Sequence, residues 1–155
     1  MSVASLQRRL EGVTQLSLDT GVFIAAAEEK DPRRECAAWL TRAVEQGRFR
    51  CTISVINVAE ILAGGFARSV SDGLARKGHL ETFANVTIVP LLLDLATSAA
   101  HVRSVTKLPL PDSIVLATAI EAGCDAIVHT DLDWVRRAKT YRQTIQMIYL
   151  GDHCP

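Results

Sequence analysis

Leu16-Ser17-Leu18-Asp19-Thr20-Gly21-Val22-Phe23-Ile24 is the stretch on which the fold turns. A short apolar run ends on a carboxylate, and an alanine-rich apolar segment reaching to about Glu29 follows at once. This is the pattern of a strand feeding directly into a helix. The same unit returns downstream. Phe49 to Ile53 reads as a strand, and Ser54 as the N-cap of a helix carrying Ile56, Ala59, Ile61 and Leu62 towards Gly64-Gly65. Val86 to Val89, Ala126 to His129 and Thr144 to Tyr149 read as three further strands.

The segments between them carry helical signals. Asp31-Pro32 reads as an N-cap and first helical residue of a helix to about Gln46, with Ala37, Leu40, Ala43 and Val44 on one face. Residues 66–83 form a second helical stretch. Asp94 can cap a helix over 95–106, Pro111 opens one over 112–122, and a short one covers 134–141. Strands alternating with helices predict a three-layer α/β/α sandwich around a central, mainly parallel five-stranded sheet. Residues 1–15 form an N-terminal extension that Leu6, Leu10 and Val13 can dock, and residues 16–150 form the domain proper.

Composition narrows the function. The chain has 155 residues, 48% of them hydrophobic, enough for a real core at this length. Seventeen basic side chains balance seventeen acidic ones, so a grip on nucleic acid through overall positive charge is excluded, whereas a local basic face is not. No apolar run approaches the roughly 18 residues of a membrane span, and the first residues lack a signal-peptide core. A cytoplasmic protein with no membrane attachment is expected. Cys36, Cys51, Cys124 and Cys154 form no C-x-x-C pair, so reduced thiols are expected, three in the core and Cys154 exposed near the end.

In open parallel sheets, ligands gather at the carboxyl ends of the strands. Asp19 and Asp131 leave two strands at that edge. Asp112 sits in the first turn of the helix opened by Pro111. Glu60 lies among Val58, Ala59, Ile61 and Leu62, where a carboxylate needs a partner or a wet cleft. Each acid has a local explanation. Asp19 can cap the helix after it, Asp112 suits a helix N-terminus, Asp131 a turn, and Glu60 the polar edge of its helix. None of these explains why four carboxylates share one edge. Clustered carboxylates stay ionised together only around a cation. Oxygen-only ligands select magnesium or manganese, alone or as a pair about 4 Å apart, the chemistry of phosphodiester hydrolysis.

Four motifs in order carry a resemblance. They are Leu18-Asp19-Thr20-Gly21-Val22-Phe23-Ile24, Ser54 to Gly64 with Glu60 at its centre, Leu110-Pro111-Asp112-Ser113-Ile114-Val115-Leu116-Ala117-Thr118-Ala119, and Val128-His129-Thr130-Asp131-Leu132-Asp133-Trp134. Over about Leu16 to Tyr149 the chain resembles the PIN-domain family, and within it the VapC-type ribonuclease toxins. The resemblance implies a magnesium- or manganese-dependent endoribonuclease in which Asp19, Glu60, Asp112 and Asp131 are catalytic and bind metal. Thr20 and Thr130 would orient acids or waters.

His129 stands where the family usually has threonine or serine. The fourth ligand is therefore Asp131 or Asp133. Asp131 lies nearer the strand end, and Asp133 is placed to cap the helix at Trp134. The resemblance also implies a homodimer and a cognate antitoxin, an arginine of whose tail would enter the acidic groove. The helices over 59–83 are the expected apolar contact surface. Among the basic residues, Arg68 and Arg136 lie closest in sequence to the acids and are the RNA-contact candidates. A receiver domain is disfavoured, because Val89 is followed by Pro90 and Leu91 instead of a phosphoacceptor aspartate. A housekeeping RNA-processing nuclease and a non-catalytic scaffold are the alternatives.

Overall fold

β1 (Gln15–Leu18) lies at the centre of the sheet with both of its faces covered: Leu16, Ser17 and Leu18 are all buried. A computed structural model describes residues 2–154. The strands are β1, β2 (Arg50–Ser54), β3 (Val86–Val89), β4 (Ala126–His129) and β5 (Gln146–Tyr149). All neighbours run parallel, in the order β3-β2-β1-β4-β5. Leu16 pairs with Cys51 on one side and Ala126 on the other. The strand order reverses at β1, so the carboxyl ends of β1 and β4 flank the switch point where this architecture places ligands.

The helices are α1 (Val3–Arg9), α2 (Thr20–Ala27), α3 (Arg34–Glu45), α4 (Val55–Phe66), α5 (Val70–Thr82), α6 (Leu93–Thr106), α7 (Leu110–Glu121) and α8 (Leu132–Arg137). They cover both faces of the sheet, and the alternation along β4 shows how. Ala126 and Val128 point into a core with Leu6, Val22, Leu40 and Val44 from α1, α2 and α3. Ile127 points the other way, to Leu95, Leu116 and Trp134 from α6, α7 and α8. Successive side chains of a strand face opposite layers, which yields the α/β/α sandwich. Leu6 and Leu10 of the N-terminal segment are buried in the first of these cores.

Four local expectations need correction. Asp94 does not cap α6, which begins at Leu93 with Leu92 in the cap position. The helix after Pro32 begins at Arg34 rather than at the proline. Asp31 instead closes a turn, accepting from the backbone N–H of Arg33 at 2.8 Å and from its guanidinium at 3.0 and 2.8 Å. The last helix is shorter than 134–141: α8 gives way to a 3-10 turn over Lys139–Gln143. Cys154 is neither exposed nor a free thiol. It is buried and disulfide-bonded to Cys36 of α3, with Cα atoms 6.1 Å apart, and it staples the carboxyl end to the first core. Cys51 and Cys124 are free and buried, as expected. Among the described residues no helix is long and apolar enough to cross a membrane.

Candidate active site

Both strand-end acids are helix caps, and capping is what turns them towards the cleft. Asp19 is the N-cap of α2 and accepts from the N–H of Gly21 at 3.3 Å. Asp131 is the N-cap of α8 and accepts from the N–H of Asp133 at 2.7 Å through Oδ1. A short side chain that must reach back to its own helix has few rotamers left, so each carboxylate is held in place. Asp112 follows Pro111 in the first turn of α7, and Glu60 stands mid-way along α4.

The cleft is a depression of about 460 Å³. Its lining includes Asp19, Thr20, Glu60, Asp112, Thr130 and Asp131. Four carboxylates and two threonines from four separate parts of the chain thus meet at the carboxyl edge of β1 and β4. Asp133 does not line it. It pairs with Arg136 and, at 3.4 Å, with Arg137 on the surface of α8. Asp133 was expected to cap α8. That task falls to Asp131, because the helix starts two residues earlier, at Leu132.

The acids feel one another. Burial raises Asp19 from its ordinary 3.8 to about 7, against the bond from Gly21, and the charges of Asp112 and Glu60 push the same way. Asp112 is also raised, first by burial and then by Asp131, Glu60 and Asp133, while a hydrogen bond from the Trp134 side chain opposes the rise. Carboxylates held in this state fit a divalent cation, which would relieve both burdens. The donor set is oxygen only, the preference of magnesium and manganese. Among the described residues no three acidic, histidine or cysteine side chains form a ready-made cage. Magnesium keeps several of its waters and does not need one.

Thr20 and Thr130 make different contacts in the cleft. Thr20 donates to Glu60 Oε2 at 2.5 Å and accepts from the side-chain amide of Asn57 at 3.0 Å. Gly21 is where Thr130 comes closest: a Cβ there would stand 1.8 Å from Thr130 Oγ1. Any larger residue at this position of α2 would force the Thr130 side chain aside.

His129 lies below the cleft, buried between Trp134 and Tyr149, with ring centroids 5.3 and 5.8 Å away. Its Nδ1 lies 3.0 Å from the carbonyl of Asp131. Burial lowers its pKa from 6.5 to about 4, so it packs as a neutral ring. The indole of Trp134 lines the cleft and hydrogen-bonds Asp112, a role that its place in the fourth motif does not reveal. Arg33 is another omission: its guanidinium donates to the Thr130 carbonyl at 3.0 Å and ties the loop before α3 to the Asp131 loop. Arg68 pairs with Glu28 and Arg136 with Asp133, both on the surface.

A family model described as PIN domain matches residues 16–140. The chain belongs to the PIN-domain family. No curated protein matches this PIN domain in sequence. Solved structures share its fold. A toxin–antitoxin complex from Klebsiella pneumoniae contains a chain 20% identical, with a TM-score of 0.63 over 87% of this chain and 97% of that one. VapBC2 from Rickettsia felis, bound to a DNA fragment from its promoter, gives 12% identity and 0.64 over 88% and 98%. VapBC-5 from Mycobacterium tuberculosis gives 18% and 0.56 over 88% and 98%.

Proposed function

We propose that this PIN domain is a magnesium- or manganese-dependent endoribonuclease, the toxin of a toxin–antitoxin pair acting in the cytoplasm. The observation that carries the reading is the cleft. Asp19, Glu60, Asp112 and Asp131, from four elements, face one depression at the switch point of a parallel sheet. These four would hold the metal, with Thr20 and Thr130 orienting them. A divalent cation there would supply Lewis acidity for phosphodiester hydrolysis. The chain's own contribution is to bury Asp19 and partly bury Asp112 beside the exposed Glu60 and Asp131, and to fix the directions of Asp19 and Asp131 through the caps of α2 and α8. Arg68 and Arg136 are the candidates to meet RNA phosphates. Their present partners are exposed carboxylates, and such surface pairs are worth little, about 0–1 kcal/mol, so phosphate can replace them.

The partner reading has its own support. Beside the cleft, α2, α3, α4 and α5 enclose an apolar groove of about 450 Å³ lined by Phe23, Ile24, Ile61, Leu80 and Phe83. Ile24 lines both the groove and the acidic cleft, so the two are neighbours. A partner segment with apolar residues followed by an arginine fits that path, as an antitoxin tail would. Leu92 and Leu93 are exposed side by side at the start of α6, apolar side chains that a homodimer would cover.

The test is cleavage of an RNA panel by purified, partner-free protein in magnesium, manganese or EDTA, with Asp19→Asn and Asp112→Asn alongside. Cleavage that needs metal and is lost in both variants is expected. Cleavage that persists in EDTA, or in both variants, overturns the reading.

A further inference from the structure

Ser54-x-x-Asn57-x-x-Glu60 places three polar side chains one helical turn apart at the start of α4. The first pair forms a capping box: Ser54 caps the helix, and Asn57 Oδ1 accepts from the backbone N–H of Ser54 at 2.9 Å. Capping uses only the oxygen of the Asn57 amide. Its nitrogen leaves the helix altogether and donates to Thr20 Oγ1 at 3.0 Å, across 37 residues of sequence. Asn57 is fully buried, and a polar group in that position needs every partner it has.

The direction of these bonds follows from the backbone. The Ser54 N–H can only donate, so it must meet the amide oxygen of Asn57. The amide nitrogen therefore faces Thr20, and it too can only donate. Thr20 Oγ1 spends its acceptor role there. Its single proton goes to the remaining neighbour, Glu60 Oε2. A flipped Asn57 would set N–H against N–H at Ser54. The main chain at the end of β2 thus dictates the orientation of a carboxylate at the cleft through two side chains.

We propose that Asn57 is a positioning residue for the acidic cleft: it holds the Thr20 hydroxyl as a donor to Glu60 and so presets that carboxylate for a divalent cation. The inference rests on the metal-dependent reading above. Glu60 needs such a device more than the other acids. Asp19 and Asp131 are short and fixed by their caps, whereas Glu60 is longer, exposed and on the open side of the cleft. Groups that orient a ligand from behind typically matter about 10- to 100-fold in metal affinity.

The experiment is calorimetric titration of the free, full-length protein with manganese chloride, with folding checked by circular dichroism. Wild type, Asn57→Ala, Thr20→Val, their double variant, Thr20→Ser and Asp112→Asn are compared. Asn57→Ala and Thr20→Val are each expected to weaken binding about 10- to 100-fold. The double variant should be no worse than the weaker single one, because both act through the same hydroxyl. Thr20→Ser, which keeps the hydroxyl, should restore most of what Thr20→Val loses. A purely capping role for Asn57 would lower the unfolding midpoint and leave manganese affinity and this coupling unmoved. Asn57→Ser, too short to reach Thr20, carries the same expectation should Asn57→Ala not fold.

Wild-type affinity in folded Asn57→Ala, or full additivity in the double variant, overturns the proposal. Wild type that takes up no manganese and cleaves no RNA overturns the underlying reading and this one with it. Wild type that binds while Asp112→Asn does not keeps the two failures apart.

Discussion

Asp19→Asn should make the metal-free protein more stable at pH 8 while removing its response to metal. In the folded chain burial and two neighbouring acids raise Asp19 from 3.8 to about 7. A group whose proton binds more tightly in the folded state loses stability as pH rises between the unfolded and folded values, here from about 4 to 7. Each tenfold change in proton affinity is worth about 1.4 kcal/mol, so the full penalty above pH 7 is about 4 kcal/mol. Part of it is shared with Asp112 and Glu60, which adjust when Asp19 is neutralised, and the net gain expected is about 2–4 kcal/mol. Asparagine is isosteric and an equally good N-cap, so the bond from Gly21 survives and the charge alone is removed. For a domain of this size the gain is about 5–15 °C in midpoint at pH 8, shrinking towards zero near pH 4.

The assay is thermal unfolding of wild type and variant in EDTA at pH 4.5, 6 and 8, repeated at pH 8 with millimolar magnesium or manganese. Wild type should gain markedly from the metal and the variant little. A variant no more stable than wild type at pH 8, or an advantage that does not grow with pH, would refute the argument that buried charge repulsion defines this cleft.

The remaining predictions touch other parts of the structure. His129 has the opposite sign: its folded pKa of about 4 lies below 6.5, so stability is lost as pH falls through that window, by up to about 3 kcal/mol. In wild type this opposes the Asp19 effect, and the acid-side loss should stand out in Asp19→Asn and flatten in Asp19→Asn/His129→Phe, as followed by urea unfolding. Gly21→Ala would drive a Cβ into Thr130, costing about 1–3 kcal/mol and at least about tenfold in RNA cleavage. Wild-type rates in that variant would show that the Thr130 contact is dispensable. Reduction of Cys36–Cys154, which closes a loop spanning 118 residues of sequence, should lower stability by about 2–5 kcal/mol, read from unfolding with and without dithiothreitol. Arg136→Ala should weaken RNA binding across sequences and lower the slope of log affinity against log salt by about 1; an unchanged slope removes it from the interface.

The alternating layout was legible because each strand is short, apolar and followed at once by a capping or turn residue. Leu16 to Asp19 carries this signal alone. The acids stood out for the same reason: a carboxylate at a strand end, or inside an apolar helix such as that of Glu60, has few local reasons to be there. Pro32 misled, since proline suits a first helical turn, but the Asp31–Arg33 ion pair holds that residue in a turn instead. Asn57 stayed hidden, although its spacing from Ser54 and Glu60 was available, because an asparagine in a helix has no meaning until its distant partner is known.

Sequence by itself therefore determined the order of elements, the parallel sheet and the set of acids from which the cleft is built. Those follow from hydrophobic period and chain direction, which are local. Only tertiary structure decided that Asp131 lines the cleft while Asp133 pairs with Arg136 and Arg137. The same holds for the Cys154–Cys36 bond and for the contacts of Thr20 with Glu60 and of Gly21 with Thr130. Each is a contact between residues far apart in the chain or a two-residue shift in a helix start. Such choices are settled by packing and by the need to satisfy every buried polar group, which no single stretch of sequence contains.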